Sequence, residues 1–382
     1  MSGPLSGVKV IEVAGLGAAP FCAMILADMG AQVIRVDRVP SMQGDDPGAA
    51  KDSFVDRGRR SVSLNLKTSA GLAALHRLIA TCDVVIEAFR PGVAERLGFG
   101  PDACLQLNER LVYGRMTGWG QHGPLSRSAG HDLNYIAISG ALHAIGSPER
   151  PMPPLNLLGD YGGGGLMLAL GIVGALLERG RTGKGQVVDA AMSDGAALLM
   201  TEIFSQYAAG TWTGRRQDNL LDGGAPFYGV YECADGKFVS VAAIEARFFA
   251  GLLSACGFEG IEPCDQWDRS RWPSMRQAFA DRFRARSRDE WCRLLEGTDA
   301  CFAPVLDLDE APHHEHNRAR ATFREFDGKP APAPAPRFSL HPDASFGRIA
   351  AIGADTSSIL TSVGYSPADI QALLEGNDAF QE

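Results

Sequence analysis

Hydrophobic residues along this chain alternate between short solid blocks and stretches at helical spacing. Val8 to Val13 is an apolar run bounded by Gly7 and by Gly15-Leu16-Gly17, the pattern of a buried strand. Residues 20–29 follow with Phe21, Met24, Ile25 and Met29 on one helical face, and Gly30 stops the helix. Gln32 to Val36 is a second strand. The unit then recurs: Ser61 to Leu64 as strand, Ala70 to Ala80 as helix, Val84-Val85-Ile86 as strand, and Leu111-Val112-Tyr113 as another. Such alternation predicts an α/β fold with a parallel sheet covered by helices.

The longest apolar run, Leu166 to Leu177, ends in Glu178-Arg179 and is too short for a membrane span, so it reads as a buried helix. Near residue 222 the character changes. Phe227 to Cys233 and Lys237 to Val241 flank Ala234-Asp235-Gly236, a hairpin signal. Helices follow, one opened by the capping box Ser287-Arg288-Asp289-Glu290. These features predict a smaller α+β domain over 226–320, after a larger first part over 1–189 and a linker over 190–225. Pro330, Pro332, Pro334 and Pro336 predict a stiff extended stretch within 321–382. Ser366 and Pro367 open a last helix.

The chain has 382 residues, enough for more than one core. Hydrophobic content of 45% and charged content of 21% are those of a globular enzyme. A net charge of −9 argues against a nucleic-acid or anionic-membrane partner. The eight cysteines form no Cys-x-x-Cys pair, which disfavours zinc and redox motifs. Scattered cysteines, no apolar leader after Met1 and no peroxisomal tail at Phe380-Gln381-Glu382 lead to the expectation of a cytoplasmic location.

Three motifs have bland readings. Gly15-Leu16-Gly17-Ala18-Ala19-Pro20 is a partial dinucleotide fingerprint, with Asp37 twenty residues beyond Gly17. Pro20 stands in place of the third glycine, so tight strand–helix packing is the better use of these residues. Gly180 to Gly185 lacks P-loop spacing and reads as a helix C-terminal turn. His313-His314-Glu315-His316 has no partner cluster and reads as a loop or helix start; no metal is expected.

Gly130-His131-Asp132-Leu133-Asn134-Tyr135 and Pro153-Pro154-Leu155-Asn156-Leu157-Leu158-Gly159-Asp160 carry the candidate chemistry. Each puts a titratable group at a glycine-containing turn. Imidazole and carboxylate have reference pKa values of roughly 6.5 and 3.9, so each can take a proton and return it. Two such groups facing one carbon can invert its configuration. The bland readings are a turn cap for His131 and a helix N-cap for Asp160. A helix N-terminus would also keep the carboxylate ionised.

These two segments, together with Pro4 to Glu12, Ala23 to Ala31, Val36-Asp37-Arg38, Arg115-Met116-Thr117-Gly118-Trp119-Gly120-Gln121, Thr182 to Met192 and Leu221-Asp222-Gly223-Gly224-Ala225-Pro226, make the chain resemble the α-methylacyl-CoA racemases of the class III CoA-transferase family. The resemblance implies a large Rossmann-like domain built from both ends of the chain, so that 321–382 returns to it. It implies two subunits threaded through one another as an interlocked homodimer, with 190–225 as the crossing linker. The implied reaction interconverts (2R)- and (2S)-2-methylacyl-CoA through an enolate, with no cofactor beyond the acyl-CoA substrate. His131 would handle the proton of the S epimer and Asp160 that of the R epimer. Glu245 would orient the imidazole, and Asn156 would hydrogen-bond in the site.

CoA carries three phosphate groups and needs cations at its cleft. By the resemblance Arg38 binds CoA, and Leu64-Asn65-Leu66-Lys67 lines its adenine and ribose. Arg90 and Arg96 are further candidates, and Lys51, Arg57, Arg59 and Arg60 suit a 3′-phosphate. Gly130, Asp132, Leu133, Asn134 and Tyr135 would touch the pantetheine arm and thioester. The glycines at 162–165 would let the thioester approach the backbone. The main rival is a class III CoA transferase with Asp160 as nucleophile; those enzymes lack the Gly-His-Asp element. An NAD-dependent dehydrogenase and a catalytically silent CoA-binding protein are weaker rivals.

Overall fold

The computed structural model describes residues 3–40, 53–342 and 346–382. They fall into two units: Met1–Ser139, Pro154–Met200 and Arg324–Glu382 form one, and Gly140–Pro153 with Thr201–Phe323 form the other.

The first unit is built on six parallel strands, β1 (Lys9–Val13), β2 (Gln32–Asp37), β3 (Arg59–Leu64), β4 (Val84–Glu87), β5 (Val112–Thr117) and β6 (Gln186–Ala191). Their order is β3-β2-β1-β4-β5-β6, and Ala379–Phe380 adds a seventh, antiparallel strand beside β3. Both faces are covered, which is why the central strands read as solid apolar runs. Ile11, Val13, Val85 and Tyr113 belong to one core, and Val10, Val84, Ile86 and Met116 to the other. From β1 the chain winds outward to β2 and β3 on one side and to β4, β5 and β6 on the other. The boundary between β1 and β4 is therefore a topological switch point, the place where such sheets open a crevice beyond their strand C-termini.

Two buried ion-pair groups brace that crevice. Arg59 pairs with Glu12 on β1 and donates to the Pro20 carbonyl in the helix Ala18–Asp28. Arg115 on β5 pairs with Glu87 on β4 at 2.9 Å and with Glu95 at 2.9 Å. Arg57 pairs with Asp28 at 2.5 Å, and Arg60 donates to Ser358 at 2.8 Å. Arg57 and Arg59 are thus buried cations committed to internal carboxylates rather than a surface for a 3′-phosphate. Lys51, read with them, lies outside the described residues.

In the second unit β7 (Tyr228–Glu232), β8 (Phe238–Ala242) and β9 (Phe302–Val305) form an antiparallel sheet, with the expected hairpin at Asp235-Gly236. Phe249, Phe279, Phe283 and Trp291 build its core.

Several boundaries differ from the sequence reading. Gly140–Pro153 joins the second unit, because Arg216 donates to the carbonyls of His143, Ser147 and Pro148. The stretch 190–225 is not a plain linker: it holds the end of β6 and the helices Met192–Leu199 and Thr201–Ala208. Of the four prolines, Pro330 and Pro332 lie in Lys329–Pro332, a strand paired with Phe323–Phe326. The apolar helix is also longer than 166–177. It begins with a π-helical stretch, Leu157–Leu166, and runs on as an α-helix through Met167–Thr182, ending at Gly183 with φ of 73°. By length and composition it could cross a membrane. One face packs on the sheet, with Leu168, Ile172 and Ala175 buried beside Val112 and Met116 of β5, while Leu170 and Leu177 on it are exposed.

Candidate active site

A cleft of about 770 Å³ opens at the switch point, entirely within the first unit. Its floor is the C-terminal ends of three strands: Ala14–Gly17 after β1, Ala88–Pro91 after β4, and Met116–Trp119 at the end of β5. Gly130, His131, Tyr135 and Asp160 line it together with Arg38 and Arg90. The two candidate bases, 29 positions apart in sequence, thus share one cavity.

His131 is the N-cap of the helix Asp132–Ile138. Its backbone N–H donates to Asn134 Oδ1 at 3.1 Å, and the Asn134 N–H returns a bond to the His131 carbonyl at 2.8 Å. The residue is exposed and lines the cleft. Tyr135 fixes the preceding residue: its hydroxyl donates to the Gly130 carbonyl. The ring lies over Gly118 and meets Trp119 edge-on, centroids 4.7 Å apart and planes at 87°. Burial, with the field of Asp160 behind it, pushes the Tyr135 phenol up, so it remains a donor.

Asp160 sits in the first turn of the π-helical stretch, within hydrogen-bonding reach of Asn156. Its carboxylate lies against Gly17, where an added Cβ would come 3.2 Å from Oδ2. Gly163 and Gly195 touch backbone to backbone, so the helix Met192–Leu199 fits against the same turn. The glycines at 162–165 therefore serve helix packing, with Gly163, Gly164 and Gly165 buried. Burial raises the Asp160 carboxyl above its ordinary range, and the neighbouring Asp132 carboxylate adds to the rise. The Asn156 hydrogen bond and the field of His131 oppose both. A carboxyl raised in this way is better matched to returning a proton near neutral pH.

Other expected residues divide. Asn156 and Asp132 are brought to Asp160, but the Asp132 side chain is buried and accepts the Asp160 N–H at 2.7 Å instead of facing the cleft. Asn134 is a capping residue, and neither it nor the exposed Leu133 lines the cavity. Leu64 is core, Leu66 packs beside it, and Asn65 and Lys67 stand at the C-terminal end of β3, on the strand ends but outside the cleft lining. Arg96 lies outside the lining too, whereas Arg90 is within it. Glu245 belongs to the second unit, as N-cap of the helix Ala246–Cys256. Sequence reasoning missed Trp119, Ser126, Ser128 and Met192 as lining residues. The Gly118-Trp119 string signalled the first; nothing local signalled the others. His314, from the histidine run, accepts or donates to Glu296 at 2.7 Å, and among the described residues no group of three or more His, Cys, Asp or Glu could hold a metal.

Comparison with known proteins fits this geometry. Residues 5–352 match the model of CoA-transferase family III. The chain belongs to CoA-transferase family III. It is 48% identical to an alpha-methylacyl-CoA racemase of Mus musculus over 373 residues, covering 97% of this chain and 96% of that protein. It is 46% identical to the Homo sapiens protein of the same name, over 97% and 96% of the two chains. A solved CAIB/BAIF family protein from Brucella suis shares the fold, with a TM-score of 0.78 at 24% identity over 95% of this chain and 100% of that one. The Brucella suis protein therefore shares this fold.

Proposed function

We propose that the chain catalyses the reaction named in the mouse and human relatives, the interconversion of (2R)- and (2S)-2-methylacyl-CoA. The observation that carries this reading is that His131 and Asp160 line one cleft, at the C-terminal edge of the sheet, with Arg38 and Arg90 on the same walls. One base removes the α-proton, the thioester carbonyl takes the electron pair as an enolate, and the other base delivers a proton to the opposite face. Each base then regains its starting state by exchange with solvent. His131 acts on the S epimer and Asp160 on the R epimer.

The developing oxyanion needs a donor. The Asp160 N–H is already held by Asp132. The Asp132 N–H stands in the first turn of the helix Asp132–Ile138, where no intrahelical acceptor exists, and it takes this role. Arg38 and Arg90 bind the phosphates of CoA as charge-assisted donors. The reaction as written needs no metal and no nicotinamide.

We also propose that the protein works as a homodimer. Leu170, Leu177 and Leu198 are 66%, 72% and 59% exposed on the first unit, an apolar surface of the kind a partner covers.

The test is incubation of one pure 2-methylacyl-CoA epimer in D₂O, without any acceptor acid. Epimerisation with deuterium at the α-carbon is the expected result. Acyl transfer to an added free acid, with a trappable covalent Asp160 adduct and no α-exchange, would make the chain a transferase instead. Loss of turnover after exhaustive chelation, or a requirement for NAD, would overturn the cofactor-free scheme.

A further inference from the structure

Asp132 stands next to one base in sequence and touches the other in space. The residue is 8% exposed. Oδ1 accepts the Asp160 backbone N–H at 2.7 Å across 28 positions of sequence. Gly159 makes this possible, since a Cβ there would lie 2.5 Å from that same oxygen. Oδ2 is buried and has no protein partner. A buried carboxylate with one idle oxygen is costly unless its place matters.

We infer that Asp132 is a positioning residue that fixes the separation of the two bases and holds a second negative charge beside Asp160. This rests on the racemase reading and deepens it. The peptide of His131-Asp132 carries the imidazole, and the Asp132 carboxylate grips the peptide that carries Asp160. One residue thereby spans both turns.

Its charge acts on Asp160 as well as its geometry. The groups facing Asp160 are Asp132, His131 and Tyr135 from the 130–138 segment and Asn156 from its own turn. Arg90 reaches the neighbourhood through Tyr135. Gly17, the N-cap of the Ala18–Asp28 helix, lies against the Asp160 carboxylate, and the helix Met192–Leu199 meets the same stretch through Gly195 and Ala196 against Gly163, none of them ionisable. Asp194 on that helix faces Ser193 and Asp189 instead. Asp132 is therefore the one anion set against Asp160 by these elements, and it favours the protonated carboxyl.

Two substitutions separate the roles. Asp132→Asn keeps an oxygen that can accept the Asp160 N–H but removes the charge. Its acid limb in the kcat–pH profile for the R epimer should move down by ~0.5–1 pH unit, as expected for losing one like charge at a partly solvated site. Asp132→Ala loses the grip as well, and kcat should fall ~10–100-fold for both epimers, with KM for acyl-CoA within about twofold of the parent. Gly159→Ala should copy the alanine variant by pushing Asp132 aside, which keeps a result in hand where Asp132→Ala does not fold. An unmoved acid limb in Asp132→Asn, or a raised KM with unchanged kcat in Asp132→Ala, would overturn the proposal; the second outcome would make Asp132 a substrate contact. A ¹³C-carboxyl NMR titration of Asp160 in the parent and in Asp132→Asn reads the same charge without turnover. A parent that fails to epimerise would sink the racemase reading, while this titration still decides the role of Asp132.

Discussion

The turn that carries His131 and the turn that carries Asp160 are held in different ways. His131 caps a short helix whose own residues do the holding: Asn134 bonds its backbone and Tyr135 bonds the Gly130 carbonyl. All of these lie within five positions of one another, and the imidazole is left exposed. Asp160 opens a long helix and is gripped by residues far away in sequence, namely Asp132, Gly17 and the Gly163–Gly195 contact. Its carboxyl is partly buried and raised above its ordinary range. A base held locally can be exposed and mobile at its tip. A base held by tertiary packing is placed rigidly, and its titration is set by its surroundings.

The largest effects come from deleting each base. His131→Ala and Asp160→Ala should each lower epimerisation ~10²- to 10⁴-fold, because inversion needs an acceptor and a donor on opposite faces. Deuterium exchange should separate them. His131→Ala should suppress exchange mainly from the S epimer, and Asp160→Ala mainly from the R epimer. Equal loss of exchange from both epimers in both variants would mean that the two turns do not act on separate faces.

Binding should respond next. Arg38→Ala should raise KM for acyl-CoA, since a charge-assisted phosphate contact contributes roughly 1.5–3 kcal/mol. The increase should shrink for a pantetheine thioester, which lacks the nucleotide. An unchanged KM with the full CoA ester would remove Arg38 from the site. Neither base should respond to Arg38→Ala, so the exchange pattern of the two epimers should stay as in the parent.

The same contrast governs what the sequence made visible. The β1–helix–β2 unit, the hairpin at Asp235-Gly236 and the caps at Ser287 and Ser366 follow from local spacing and turn chemistry, and the structure contains them. The His131 turn is similarly local. The π-helical stretch Leu157–Leu166 was not legible, since four consecutive glycines are poor helix formers on propensity alone. What they gain is closeness: Gly163 against Gly195, and Gly165 against the Ala18–Asp28 helix. Only the folded neighbours reveal that. Arg57 and Arg59 misled for a related reason, because a run of basic residues in sequence does not show that Asp28 and Glu12 wait beside them in the core.

Packing variants should therefore divide between the turns. Gly195→Ala places a methyl group into the Gly163 backbone, and overpacking of that kind costs about 1–3 kcal/mol. Thermal unfolding should move down, and exchange from the R epimer should suffer more than exchange from the S epimer. Tyr135→Phe removes one hydrogen bond from the other turn, worth about 1 kcal/mol, and should show the reverse preference. If both variants slowed both faces alike, the two turns would be one mechanical unit and the contrast would fail.

The smallest effect concerns stability, and its sign follows from the raised Asp160 carboxyl. A carboxyl whose folded pKa lies above its unfolded value binds its proton more tightly in the native state. Its contribution to stability is fully present below the unfolded pKa, near 3.9, and is lost as pH rises through the folded value. Once ionised, Asp160 therefore weakens the fold slightly. Asp160→Asn keeps the shape and the Asn156 neighbour but removes the charge. Its Tm should exceed that of the parent at pH 7, and the difference should shrink as pH falls toward about 4. His131→Gln, in the exposed turn, should give no such pH-dependent gain. A lower Tm for Asp160→Asn at pH 7 would show that the helix N-terminus and His131 outweigh burial and Asp132, and that the buried turn stabilises its anion after all.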